Sequence, residues 1–229
     1  MSQGEIVSKR DVDDNRLFRF RPEIPAPDLR FSIIIGECLH NLRSALEYIV
    51  RQLVIVNNRT PTNANQFPIC LHPPGFDLNL RKDRLCGVSV KAKAVIEGLQ
   101  PYKTPEFKNF ARYHPLWILS ELNNIDKHRT LTLTSVAGGG DAEVRFIDSS
   151  GATVGTVRIA QIIASGTETL VHAPDHITNP DEMDVQFKGM FHVLFDDAPL
   201  NGQEVNVVMV TLVRFVKERV VPSFEKFFN

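Results

Sequence analysis

The chain has 229 residues, 43% of them hydrophobic, enough for one large domain or two small ones with a buried core. Its formal net charge of −1 supplies no overall field to hold it on a nucleic acid or an anionic membrane, which argues against a nucleic-acid partner. Three cysteines, Cys38, Cys70 and Cys86, contain no C-x-x-C pair and argue against a disulfide framework or a zinc knuckle; with a polar N-terminus and no apolar run approaching ~18 residues, the reading is a cytoplasmic protein without a membrane span. Residues 4–24 predict two short strands around the turn-forming DVDDN, then a Pro-rich entry, PEIPAP. Asp28 suits an N-cap for a long central helix from Leu29 to about Val56, with Ile35, Cys38, Leu39, Leu42, Leu46, Ile49 and Leu53 at helical spacing on its apolar face. NNRTPTNANQFPICLHPPGF reads as a long loop. A shorter helix, about Ser89 to Leu99, carries Val88, Ala92, Val95 and Leu99 on one side, and Pro115 opens a further helix to about Arg129 with Leu116, Leu119 and Leu122 toward the core.

From Thr130 the hydrophobic period changes to two. TLTLTSV, AEVRFID, TVGTVRI, ETLVHA, MDVQFKGMFHVLF and EVNVVMV predict the strands of an antiparallel sheet, separated by GGGD, SSGA, SGT and NGQ turns. TLVRFVKERVVPSFEKFF closes the chain as an amphipathic helix bent near Pro222, and its most economical partner is the long first helix. The expected architecture is one α+β domain over 1–229. Its helical part, a long central helix with three shorter ones, takes in about 28–129 and 211–228; the sheet, about 130–210, is inserted before the C-terminal helix and joined by the N-terminal strands 4–20.

Polar residues gather on two helices. At ~100° per residue, Glu37, His40, Ser44, Glu47 and Arg51 share one side of the long helix with Arg43 at its margin, and Glu121, Asn124 and His128 align on the helix that ends at Arg129. If the stripes face each other they line a polar cleft; if they face water they are solvated surfaces with weak i,i+4 pairs. Asp126 falls between Leu119 and Leu122, where a carboxylate is costly unless paired. The expectation is a buried Asp126 bound to Arg43 or to backbone N–H groups, part of a polar lock, NNIDKHR, between helix and sheet.

Taken in order, IGECLHNLRSALEYIVRQL, FPI, LQPY and HPLWILSELNNIDKHR resemble a family of uncharacterised bacterial proteins that share an LHNLRSALDH-like helix and a NIDKHR-like segment; the resemblance covers about residues 30–136 and implies no particular activity. The helical part is also similar to HEPN-type domains, helical bundles that include ribonucleases whose site is an Arg, a polar residue and, a few residues on, a His. Arg43 and Ser44 match the first half; Tyr48 or Ile49 stands at the place of the His.

Other chemistries find less support. Glu37 and His40 form one Glu-x-x-His pair where a di-iron bundle needs two, Pro174 prevents a helix from aligning His172 with His176, and GGGD is followed by neither Lys-Ser/Thr nor a helix. Cys38 lies on the predicted apolar face and reads as a core residue. No metal and no cofactor is assigned. The first functional reading is therefore a cleft that binds a small polar ligand or a protein partner through His40, Arg43, Glu47, Glu121, Asn124 and His128, with catalysis unassigned. The second is a HEPN-like ribonuclease with a variant site, in which His128 supplies the acid or base beside Arg43. The third is a homodimeric self-association module pairing sheet edges such as EVNVVMV.

Overall fold

The computed structural model describes residues 9–10, 17–20, 24–107, 109–164, 167, 169–177 and 184–228, and over them the chain is α+β. Read from sequence as one domain with a helical and a sheet part, it gathers into two compact units: residues 1–28 with 133–196, and residues 29–132 with 197–229.

The first unit carries the strands. β1 (Lys9–Arg10) and β2 (Leu17–Phe20) pair antiparallel, and β2 continues onto β6 (Thr169–His172). The DVDDN turn lies outside the described residues. In the second sheet β3 (Leu133–Ile147) pairs antiparallel with β7 (Asp184–Phe195) along its length, and with β4 (Thr153–Ile159) and β5 (Ile162–Ala164) over separate stretches. GGGD is no turn but part of β3, and the pairing with β7 jumps from Ala137↔Phe191 to Ala142↔Gly189 across it. Glycines in mid-strand let the backbone absorb such an irregularity without folding back. β5, with three residues, is too short to show a period in the sequence. Ile24, Val144, Phe146, Ile159, Ile163, Val171 and Phe187 are among the side chains that build this unit's core.

The second unit is helical. α1 (Leu29–Val56) buries Ser32, Ile35, Gly36, Leu39, Leu46, Val50, Leu53 and Val54. That stripe is centred about 50° away from the one read off the sequence, toward the polar side of the wheel. The rotation leaves Cys38, expected in the core, exposed, and brings Arg43 to half-burial. α2 (Pro73–Arg81), inside the segment read as loop, begins with two prolines in its first turn, where no N–H partner is needed, and is anchored by the buried Phe76. α3 (Val90–Gly98) is capped by the Ser89 hydroxyl, and α4 (Pro115–His128) buries Leu116, Leu119, Leu122 and Asn123.

EVNVVMV, expected as a strand, is the start of α5 (Val205–Phe215). Its buried residues, Val208 and Leu212, are four apart, so packing at helical spacing overrides the β-propensity of a valine run. The self-association reading loses that strand edge. The helical ladder then widens to a π-turn at Val216–Val220 ahead of Pro222, which has no N–H to give, and ends in α6 (Val221–Phe224). The most extensive contacts of this segment with other helices are α5 with α4 and α6 with α3, ahead of any with the long helix expected as its partner. No described helix is long and apolar enough to cross a membrane.

The chain leaves this unit at Thr132 and returns at Asp197. Asp197 is buried, accepts the Thr132 N–H at 2.7 Å and pairs with Arg129 at 2.6 Å. The lock at the end of α4 is therefore Arg129 with Asp197, in place of the expected Asp126 with Arg43.

Candidate functional site

α1 and α4 are the most extensively packed helix pair of the helical unit, and their polar sides open into a groove. At Gly36 the approach is so close that a Cβ there would collide with the Asp126 carboxylate. On one side of this approach is a cleft of 650 Å³; α1 supplies His40, Arg43, Ser44, Glu47 and Arg51, and α4 supplies Ser120, Asn123, Asn124 and Lys127. Its third wall is the Thr62–Gln66 segment with Arg84. An adjoining hollow of 510 Å³ runs toward Ser32, Ile33 and Thr130 and is lined by Glu37 and Asp126. His40, Asn123 and Lys127 line both, so the two form one groove along the α1–α4 seam.

The Arg43–Glu47 pair grips a peptide unit. Arg43 Nη2 donates to the Phe67 carbonyl at 2.7 Å and is ion-paired with Glu47 Oε1, while Glu47 Oε2 accepts the Phe67 N–H at 2.7 Å. Both backbone groups of a fully buried residue are thereby satisfied from one helix turn. Burial pushes the Arg43 guanidinium below its ordinary pKa, Glu47 opposes that shift and the charge of Arg84 adds to it. Its Nη1 is enclosed without a hydrogen-bond partner, which marks how fully the other nitrogen is committed. The third wall is fixed independently. Gln66 N–H and the Asn65 amide donate to the Arg84 carbonyl at 3.0 and 3.4 Å, the Asn65 amide also reaches the Cys86 carbonyl at 2.9 Å, and Asn65 Oδ1 accepts from Thr62 N–H at 2.7 Å.

Asn123 is the polar residue that this framework leaves unused. It is 3% exposed and lines both halves of the groove, yet among the described residues its amide has no hydrogen-bond partner. Unlike Arg43 Nη1 its atoms are not sealed in, so the amide opens onto the groove.

Of the residues singled out from sequence, His40, Arg43, Glu47 and Asn124 line the cleft, with Arg43 and Glu47 bound to the Phe67 peptide. Glu121 and His128 do not line it. The imidazole that shares the cleft with Arg43 is His40, not the His128 that the ribonuclease reading requires. Asp126 is half-buried over Gly36 with no ion pair or hydrogen bond among the described residues, which corrects the expected link to Arg43. A glycine on the facing helix supplies the room that a salt bridge was invoked to explain. Asn123, Lys127, Arg84 and the Thr62–Gln66 wall were not picked out. For Asn123 the signal was present, since it follows Leu116 and Leu119 on the buried face of α4 as Asp126 does; for Arg84 and the loop no local pattern exists.

The motif segments FPIC, LQPY and HPLW are joined through one buried chain. Gln100 Oε1 accepts from Cys70 N–H at 2.9 Å, and its Nε2 donates to the Pro68 and Ile96 carbonyls at 2.9 and 3.0 Å. Thr104 Oγ1 donates to the Gln100 carbonyl and sits 3.2 Å from His114 Nε2, while His114 Nδ1 accepts the Leu116 N–H at 3.2 Å as the N-cap of α4. This fixes the tautomer: Nε2 carries the proton and donates it to Thr104. With Phe107 and Phe215 edge-on at 4.9 Å each, burial drives the His114 pKa down to about 4. These residues hold the walls of the groove and do not reach it.

Among the described residues no group of three or more His, Cys, Asp or Glu side chains could hold a metal ion. No family model, no curated protein and no solved structure matches the chain.

Proposed function

We propose that the helical unit binds a small polar molecule in the groove between α1 and α4. The observation that carries this reading is Asn123: at the floor of the groove its amide has no protein partner among the described residues and opens onto the groove, so its donors and acceptor are free to meet water or a ligand. The cleft volume of 650 Å³ is within the ~300–1,000 Å³ usual for small-molecule sites, and its walls are held by bonds that do not depend on a ligand. His40 and Lys127, exposed and shared by both halves, flank Asn123 as further polar contacts.

The test is a panel of neutral, cationic and anionic polar small molecules, titrated onto the full chain while backbone amide resonances are followed by NMR. A binder should shift resonances of residues 40, 123 and 127 together, and Asn123→Leu should weaken it at least tenfold. A panel in which no member perturbs those positions contradicts the reading.

A further inference from the structure

We propose that the groove takes a small molecule bearing a compact oxyanion, phosphate or carboxylate, and that Arg51, Arg84 and Lys127 hold it. The inference rests on the ligand-binding reading above and adds the chemical class of the ligand and its orientation.

Charge is distributed unevenly along the groove. The 650 Å³ cleft is lined by four cationic side chains, Arg43, Arg51, Arg84 and Lys127, against one carboxylate, Glu47. Glu47 is spent on Arg43 and on the Phe67 N–H. Among the described residues Arg51, Arg84 and Lys127 have no carboxylate within ion-pair distance. This excess of positive charge stands out in a chain whose net charge is −1. Arg43 and Arg84 are half-buried, Arg51 and Lys127 exposed; like charges lining one concave space repel one another, and a bound anion relieves that repulsion. Arg84 and Arg43 are close enough for the charge of one to disfavour that of the other.

The same elements supply the donors an oxyanion needs. Guanidinium groups present forked N–H pairs that match the oxygens of a phosphate or carboxylate. Arg84 is half-buried and its backbone is pinned by Asn65 and Gln66, so the base of its side chain is in place before a ligand arrives. Ser44 and Asn123 line the cleft beside it. The opposite hollow carries Glu37 and Asp126 and would repel an anion. The ligand's charged group therefore sits at the Arg84 end, with its remainder passing Asn123 toward Asp126. A chain without a general positive field and a cleft closed on three sides favour a small molecule over a polyanion.

Inorganic phosphate and malonate are the probes, titrated separately onto the full chain at fixed ionic strength with chloride as reference, and read by NMR shifts and by melting temperature. At least one should raise the melting temperature above the chloride value and shift resonances of residues 51, 84 and 127; which of the two does so tells phosphate from carboxylate. Arg84→Gln and, separately, Arg51→Gln should each weaken that binding about tenfold while circular dichroism stays that of the wild type, and Glu121→Gln, outside the groove, should leave affinity unchanged. Equal behaviour of both anions and chloride overturns the proposal, as does full affinity in both arginine variants. If a neutral or cationic compound binds at Asn123 while neither anion does, the oxyanion assignment fails and the groove reading stands; if nothing binds, the groove reading itself fails.

Discussion

Arg43, Asn123 and His114 show three ways in which this chain buries a polar side chain. Arg43 is committed to a carboxylate and a backbone carbonyl, and its role is to hold the Phe67 segment as the wall of a cleft. Asn123 is committed to nothing among the described residues. His114 is buried as the neutral tautomer, with both ring nitrogens in use. Its pKa in the folded chain is about 4 against an ordinary 6.5, so between those values the unfolded chain binds the extra proton. Its contribution is complete above pH 6.5 and is lost as the pH falls toward 4, a difference on the order of 3 kcal/mol. Urea midpoints at pH 7.5 and pH 4.5 should thus diverge in the wild type, and the divergence should shrink in His114→Asn, which keeps a capping side chain without a titrating ring. An identical pH slope in both proteins would show that His114 is not held neutral by the fold.

At the scale of elements, the spacing of α1 told its length but not which of its faces is buried. The apolar residues alone centre on Ile35, Leu42 and Ile49; the buried stripe takes in Gly36 because α4 approaches on the glycine side, Ser32, whose hydroxyl donates to the Leu131 carbonyl, and Val54, which packs at Gly87. Asp126 was legible as a polar residue on a core face, and its partner was not, because the reason for its position is an absence of side chain at Gly36. A glycine to alanine change inside a helix ordinarily gains about 1 kcal/mol. Here the new Cβ would displace the Asp126 carboxylate, so Gly36→Ala should forfeit that gain in the wild-type background and recover it in Asp126→Ala. Denaturation midpoints of the four proteins of this cycle should yield a coupling on the order of 1 kcal/mol. Additive changes would mean that Asp126 does not rest on α1. The helix α5 was misread for a related reason: four valines between 205 and 210 satisfy either period, and only the burial of Val208 with Leu212 decides.

On the scale of the whole molecule, the order of strands, helices, strands and helix was legible from the change of period at Thr130, and so was an α+β chain with a sheet ahead of the last helix. The cleft was legible only on its two helical walls. Its third wall comes from Thr62–Gln66 and Arg84, brought in by bonds such as Gln66 to Arg84 that span a stretch read as featureless loop. The helical unit is assembled from two separate stretches of chain, closed by Asp197 onto Thr132 and Arg129. Residues 29–132 joined to 197–229 through a short Gly/Ser linker should therefore retain helical circular dichroism and a cooperative melt, and Asp197→Ala in that chain should lower its stability by about 1–3 kcal/mol, the loss of the charge-assisted hydrogen bond from the Thr132 N–H together with the Arg129 pair. A linked chain that is unfolded from the outset would show that the unit does not stand by itself.

The central claim is that Asn123 is kept for a ligand and not for the fold, and the stability of Asn123→Leu in the absence of ligand tests it most directly. Leucine has a similar shape and needs no hydrogen-bond partner, so replacing an amide that no protein group binds should leave the stability unchanged or raise it by up to about 1–2 kcal/mol. A fall of more than about 1 kcal/mol would show that the Asn123 amide holds the structure together, and would contradict the assignment of the α1–α4 groove as a binding site.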